Sequence, residues 1–334
     1  MSKIISIAID AMGGDNSPDK TIEGIKLFLD KYKSRDDFVL NVFGKKEEID
    51  KSCFKFNVIH NSIKIFNTDT VVSDGETPMT AVKNSKNTSM WKCIQHQLDG
   101  KSDISLSAGN TGVLLVISRM ILKMMNEITK PALAGLWPNQ NGMNVVLDLG
   151  ANIECNDQNL VDFAELGSAL HKSLFVNQTP KVALLNVGSE EIKGTEMLKA
   201  ASKKLRDLSN SNNFIYNGYI EGNNIMTGES NVIVTDGFTG NIALKTAEGT
   251  AKFIIKNLKK SLTENIITKL SLIFSYFSLK KFKSKLDPRK YNGAIFLGLN
   301  GPVVKSHGGI DSVGFFYSIY LCFNIVRGDC MRKI

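Results

Sequence analysis

The sequence predicts an α/β protein, a mostly parallel sheet with helices on both faces. Three observations carry this expectation. Short β-branched runs recur along the chain, each is followed by a turn of Gly, Asn, Asp or Ser, and a helical pattern of about 10–15 residues separates one run from the next. With 43% apolar and 22% charged residues in 334, the composition is that of a globular protein and excludes a disordered or fibrous chain.

Residues 4–9 form the first expected strand. Ser17 as N-cap, Pro18 at the first helical position and Asp19 then open a helix with Ile22, Ile25, Leu29 and Tyr32 on one face. Further strands are expected at 38–43 and 57–60, followed by an irregular stretch at about 67–80. A helix carrying Trp91, Ile94 and Leu98 then leads to a strand at 104–106. The remaining strands are placed at 145–149, 182–187, 232–235 and 294–297, with helices at about 111–125, 159–175, 194–208 and 240–262. There is no internal repeat and no low-complexity linker, so one unit spanning 1–334 is the economical reading, with a helical region at 250–290 projecting from it.

The formal net charge of +8 is local. Residues 250–290 hold 11 Lys/Arg against only Glu264 and Asp287, which leaves the rest close to neutral. Five scattered cysteines without a C-x-x-C pair exclude a disulfide framework or a zinc ribbon. No signal-peptide pattern opens the chain, and its longest uncharged apolar-rich run, 312–326, is short of the roughly 18–20 residues a spanning helix needs. A cytoplasmic protein that does not cross the membrane is expected.

In such sheets ligands sit at the carboxyl ends of the strands, where loops feed helix N-termini. Six loops here combine Gly with Asn, Asp or Ser: the segments 10–15 (DAMGGD), 107–112 (SAGNTG), 148–152 (DLGAN), 186–194 (NVGSEEIKG), 236–241 (DGFTGN) and 305–309 (KSHGG). Amides at helix N-termini are suited to anions, above all phosphate, and the six loops together point to one shared phosphate-bearing site. No Walker A motif, G-x-G-x-x-G, H-E-x-x-H or G-x-S-x-G is present, and no cofactor or metal is expected. Of the four histidines, His60, His96 and His171 read as structural or exposed, while His307, between Ser306 and two glycines, is placed like a site residue. Lys193, in a Glu-Glu-Ile-Lys-Gly loop after a strand and before Gly194, reads as a solvated charge or an anion ligand. Asn110, Asn152, Asn186 and Asn241 all follow strands and offer neutral donors for an oxyanion.

The ordered motifs D-A-M-G-G-D, S-A-G-N-T-G, L-D-L-G-A-N, L-L-N-V-G-S-E-E-I-K-G, D-G-F-T-G-N-I-A-L-K-T-A-E-G and K-S-H-G-G resemble the bacterial PlsX family, the phosphate acyltransferases of phospholipid synthesis. The likeness runs from Ile5 to about Gly309. It implies transfer of a fatty acyl group from acyl carrier protein to inorganic phosphate, giving an acyl phosphate that a membrane-bound acyltransferase passes to glycerol 3-phosphate. It also implies a homodimer and a fold similar to isocitrate and isopropylmalate dehydrogenases and to phosphotransacetylase.

The residue reading agrees with that chemistry. Phosphate dianion is already a nucleophile at neutral pH and a thiolate leaves readily, so the protein must hold, orient and stabilise rather than supply a nucleophile, metal or nucleotide. On this basis Gly13, Gly14, Ser107, Gly109, Asn110, Thr111, Gly112 and Asn152 are expected to bind phosphate or the pantetheine arm. Asp10 and Asp15 belong to the same set and orient its loops. Asn186, Lys193 and Asn241 are assigned to the oxyanion and incoming phosphate, and His307 to donating a proton to the leaving sulfur. Departures from the family pattern are Lys83 and Lys130 in place of Arg and Asn87 in place of Asp; lysine keeps the charge but loses the bidentate fork.

The 250–290 segment interleaves Lys252, Lys256, Lys259 and Lys260 with Phe253, Ile254, Ile255 and Leu258. It reads as an amphipathic hairpin for anionic lipid or the acidic carrier protein, or as a core or dimer helix with its lysines in water. No nucleic-acid motif accompanies the charge. Two other readings stay open: a phosphotransacetylase acting on short-chain acyl-CoA, and a non-catalytic peripheral membrane protein that recruits partners.

Overall fold

The apolar run Ile-Ser-Ile-Ala-Ile becomes β1 (Ile5–Asp10), buried on both faces and paired in parallel with β2 (Phe38–Gly44) and β4 (Ile104–Ser107). The computed structural model describes residues 4–33, 35–59, 61–72, 85–209, 214–285 and 287–333. Its other strands are β3 (Ile63–Asn67), β5 (Ala132–Pro138), β6 (Met143–Leu147), β7 (Lys181–Leu185), β8 (Ile215–Ile220), β9 (Val232–Val234), β10 (Ala294–Leu297) and β11 (Val303–Lys305). All eleven join one sheet in the order β3-β2-β1-β4-β11-β10-β5-β6-β9-β7-β8.

Helices cover both faces of the sheet, as expected. Against one face lie α1 (Asp19–Lys31), α2 (Lys46–Lys55), α5 (Asp157–Leu174), α6 (Glu196–Ser209), α9 (Ser312–Arg327) and the short α10 (Cys330–Lys333). Against the other lie α3 (Ser89–Leu98), α4 (Thr111–Leu122) and the first turns of α7 (Gly237–Leu262). The apolar run at 312–326 is α9, which sinks Phe315, Ile319 and Phe323 into the core beside α1. There Phe28, Phe38 and Phe323 meet edge to face at 5.2–6.3 Å. None of the described helices is long and apolar enough to cross a membrane.

The sheet is mostly parallel, as expected, with one reversed stretch in its middle. Three successive antiparallel pairings, β11 with β10, β10 with β5 and β5 with β6, separate a β1–β4–β11 half from a β6–β9–β7–β8 half. Within each half the neighbours are parallel. The two halves therefore run in opposite directions.

Several expectations shift. The third strand is at 63–67; Asn57 instead takes a positive φ and Val58 closes a turn onto Cys53. Ser17 does not cap α1 but donates to the Gly13 carbonyl at 2.6 Å. His171 is fully buried in α5, its ring nitrogens without a hydrogen-bond partner among the described residues, and burial pushes its pKa down to about 4. His60, Lys83 and most of the irregular stretch lie outside the described residues. The 250–290 region is the distal half of α7 followed by α8 (Ile266–Lys285). α7 alone is about 39 Å long at 1.5 Å per residue, and its residues 249–260 are all exposed.

Candidate functional site

The first cluster of loops is built on β1, β4 and β11. Asp10, at the end of β1, is 1% exposed; its carboxylate accepts from Ser107 Oγ at 2.7 Å and from the Met12 amide at 3.2 Å. Ser107 Oγ in turn accepts from the Gly109 amide at 3.1 Å. Asp10 thus ties the 10–15 loop to the 107–112 loop from below. Burial raises its pKa, against the pull of Ser107, Ser89, the Met12 amide and Lys20.

The two loops touch backbone to backbone, because a Cβ on Gly13 would lie 2.5 Å from the Gly109 nitrogen. Gly14 takes φ +77° and faces the Gly308 carbonyl, which also accepts from the Asp15 amide at 3.0 Å. Asn110 caps α4, its Oδ1 accepting from the Gly112 and Val113 amides at 2.9 and 3.1 Å; Asn110 and Thr111 are exposed at the rim. His307 closes the cluster. Its backbone N–H donates to Asn292 Oδ1 at 3.1 Å, and its Nδ1 accepts from the Gly309 amide at 3.2 Å. That bond leaves the proton of the neutral ring on Nε2.

Two lysines that the sequence reading did not assign sit beneath these loops. Lys20 in the first turn of α1 is 5% exposed and donates to the Gly308 carbonyl at 2.6 Å. Lys305 is 9% exposed and donates to the Ser306 carbonyl and, at 3.4 Å, to that of Ala108. Asn292 fixes the 306–307 turn through Ser306 Oγ at 2.9 Å and Ser318 Oγ at 2.8 Å. Lys305 was visible in the K-S-H-G-G run, but nothing in the sequence marks Lys20 or Asn292 as buried.

The second cluster is built on β6 and β9. Its centre is Asp148, fully buried. Oδ1 accepts from the amides of Leu133 (3.0 Å), Gly150 (3.1 Å) and Ala151 (2.9 Å), and Oδ2 from Asn152 N and Nδ2, both at 2.8 Å. Burial raises the Asp148 pKa and those donors pull it back. Asn152 Nδ2 also holds the Pro131 carbonyl at 2.6 Å. Asn241, in the second turn of α7, donates to the Leu149 carbonyl at 3.2 Å, so Asn152 and Asn241 meet on one loop. Lys130 donates to the Glu154 carbonyl at 2.6 Å close by, and Asn87 is exposed in a single turn at 85–87.

Asn186 and Lys193 share a third loop, after β7. Asn186 is 8% exposed, and its Nδ2 donates to the carbonyls of Gly188 and Lys193 at 3.1 and 3.2 Å, which makes it a brace for the loop. Lys193 is exposed and pairs with Glu190 at 2.9 Å, the contact that raises its pKa.

Because the two halves of the sheet run oppositely, the β1–β4–β11 loops and the β6–β9–β7 loops lie at opposite edges. Two helices bridge them across one face. α4 starts at Asn110 and passes the 151–152 loop. α7 starts beside Asp148 and carries Lys245, Glu248 and Lys252 to His307. Partial burial and the charges of Lys305, Lys245 and Lys252 lower the His307 pKa, with Glu248 opposing. The imidazole is therefore neutral near pH 7.

The nearest thiol to the second cluster, Cys155, is held protonated, its pKa raised to about 11 by burial and by Asp148. The buried Cys93 and Cys322 are raised as well. None of these three offers a thiolate nucleophile.

Comparison with known proteins agrees with the motif reading. The chain is 54% identical over 334 residues to a phosphate acyltransferase of Pelagibacter ubique (strain HTCC1062), covering all of this chain and 98% of the relative. It is 40% identical over 336 residues to that of Paramagnetospirillum magneticum, covering 100% and 94%. Among solved structures, a phosphotransacetylase from Streptococcus pyogenes superposes with a TM-score of 0.65 at 15% identity over 99% of this chain and 95% of that one. A 4-hydroxythreonine-4-phosphate dehydrogenase from Klebsiella pneumoniae superposes at 0.55 and 13% identity over 97% and 99%. These two share the fold. From residue 5 to residue 333 the chain matches the family described as fatty acid synthesis protein; it belongs to that family, the PlsX phosphate acyltransferases, and it is an acyltransferase.

Proposed function

We propose that this chain transfers a long-chain fatty acyl group from acyl-[acyl carrier protein] to inorganic phosphate, making acyl phosphate for phospholipid synthesis. The observation that supports this best is the first cluster, where glycine-rich loops close over the buried ammonium groups of Lys20 and Lys305, an environment that favours a small dianion. In the reaction a phosphate oxygen attacks the thioester carbon, the carbonyl becomes an oxyanion, and the C–S bond breaks as the carbonyl re-forms. The thiolate then takes the proton that the attacking hydrogen phosphate gives up. Loop amides and the second N–H of Asn241 Nδ2 stabilise the oxyanion, while both N–H groups of Asn186 are taken by the Gly188 and Lys193 carbonyls, so Asn186 acts by holding its loop. His307 Nε2–H is assigned as a hydrogen-bond donor to the departing sulfur, acting from its neutral form. Lys193, exposed on the third loop at the opposite edge from that phosphate, is assigned to the acidic carrier.

The test is phosphate-dependent loss of acyl carrier protein thioester by the purified chain, with palmitoyl-CoA as control and no added metal or nucleotide. Turnover that saturates in phosphate and needs the carrier protein is expected, and Lys193→Ala should lower it at least tenfold. Near-normal turnover in that variant would remove the lysine from the mechanism. Turnover of the CoA thioester alone would identify a phosphotransacetylase, and silence with both donors a recruitment protein.

The α7–α8 hairpin is part of the same reading. Phe253 and Ile254 on α7 and Phe274 and Phe277 on α8 are 69%, 56%, 92% and 82% exposed among lysines. We assign this surface to a second copy of the chain near its base and to anionic lipid at its tip, where acyl phosphate is handed to a membrane-bound glycerol-3-phosphate acyltransferase. Co-sedimentation with vesicles of anionic lipid should fall steeply as salt is raised, and no binding at low salt would remove the lipid contact.

A further inference from the structure

α4 carries an apolar face that the fold leaves open. Its sequence, TGVLLVISRMIL, has one charged residue in twelve. Val113, Leu114, Ile117, Ser118, Ile121 and Leu122 are spent on the core, and Leu115, Val116, Arg119 and Met120 follow one another along the opposite face. A helix that is apolar all round is normally covered on every side, yet Met120 is 50% exposed. This face forms one wall of a groove of about 340 Å³, with Pro131, Ala151 and Asn152 opposite. A groove lined mainly by apolar side chains with a few polar groups has the make-up of a small-molecule site.

Its position selects the occupant. The α4 wall begins one turn beyond the amides capped by Asn110, and the opposite wall is the loop built on Asp148. The groove therefore connects the two loop clusters. The Arg119 stem adds apolar surface while its guanidinium reaches water at the rim.

We propose that this groove holds the alkyl chain of the acyl thioester, with Val116 and Met120 setting the chain length accepted. The proposal rests on the acyl-transfer reading and adds its specificity determinant. Each methylene moved from water into such a groove is worth about fourfold in affinity, so a long chain gains from it and a short one does not.

Val116→Trp, which fills the groove, and Met120→Lys, which places a charge on its exposed wall, are the variants to compare. Both should raise KM for a sixteen-carbon donor at least tenfold while leaving KM for a four-carbon donor and kcat for both unchanged. An equal effect on the two donors, or none, would overturn the assignment. So would loss of a dimer by Val116→Trp in sedimentation velocity, which would make this face a subunit contact. Calorimetric titration of the full chain with palmitoyl-pantetheine reads occupancy without turnover. Binding that Val116→Trp abolishes would support the groove even if no phosphate-dependent turnover were found, and it is the missing turnover that would defeat the broader reading.

Discussion

Replacing Asp148 with alanine is expected to cost about 4 kcal/mol of folding stability and to abolish acyl transfer. The carboxylate is the sole acceptor shown for four backbone amides, and one of them, Leu133 N, comes from β5, on which the loop folds back. Removing it strands one buried donor, Leu133 N, and three part-buried loop amides; each unmet donor costs about 1–3 kcal/mol, and water entry recovers part of this for the loop amides. Asp148→Asn separates charge from acceptor capacity. One carbonyl oxygen can still serve the Leu133, Gly150 and Ala151 amides, but the new NH2 group faces Asn152 N and Nδ2, two donors. The asparagine variant should therefore lose about 2 kcal/mol, roughly half the alanine effect. Urea unfolding of the three proteins checks the order. A loss below 0.5 kcal/mol in both variants would mean that the loop holds its shape without Asp148. The loop carries Asn152, touches Asn241 and walls the α4 groove, so turnover should fall more than tenfold in either variant under conditions where the protein is still folded.

Much of this arrangement was legible in the sequence, for a local reason. A glycine beside Asn or Asp at the end of a β-branched run declares a loop by itself, and β10 (Ala294–Leu297) could be read residue for residue. Elements defined by their surroundings could not. β5 reads ALAGLWP, poor in β-branched residues; it is a strand because β10 and β6 flank it. α9 is apolar on too many sides to show a helical period, so it stood out only as an uncharged run. The site shows the same division. Missing β5 and β11 hid the three reversals that set the two loop clusters at opposite edges, and so hid that α4 and α7 are what connect them. Asp148 lay inside a motif already noticed, but its partners are backbone amides, which sequence does not display. Lys20 is one lysine among many until burial singles it out, and Lys305, inside the K-S-H-G-G run, gains a role only from its burial.

Gly13→Ala tests whether the first cluster depends on contact between backbones. Gly13 does not need a positive φ, so alanine fits its conformation and only space is at issue. The added methyl would meet the Gly109 nitrogen at 2.5 Å and its Cα at 3.1 Å. Neither is the end of a flexible side chain, so the 10–15 and 107–112 loops must move apart. The expected cost is about 1–3 kcal/mol, the usual penalty for overpacking. Activity should suffer more than stability, because a displacement on the order of 1 Å between the groups proposed to hold the anion lowers turnover about a hundredfold. Gly249→Ala provides the opposite sign. It lies in the exposed part of α7 with nothing among the described residues within 4 Å of the new methyl, and replacing a helical glycine should stabilise the chain by about 0.5–1 kcal/mol with turnover unchanged. The pair is read by urea unfolding together with phosphate KM. If Gly13→Ala moved neither quantity, anion binding would have to reside with Asn152 and Asn241 at the other edge. A raised phosphate KM, with Gly249→Ala unaffected, would place the anion between the first and fourth strands, above Lys20 and Lys305.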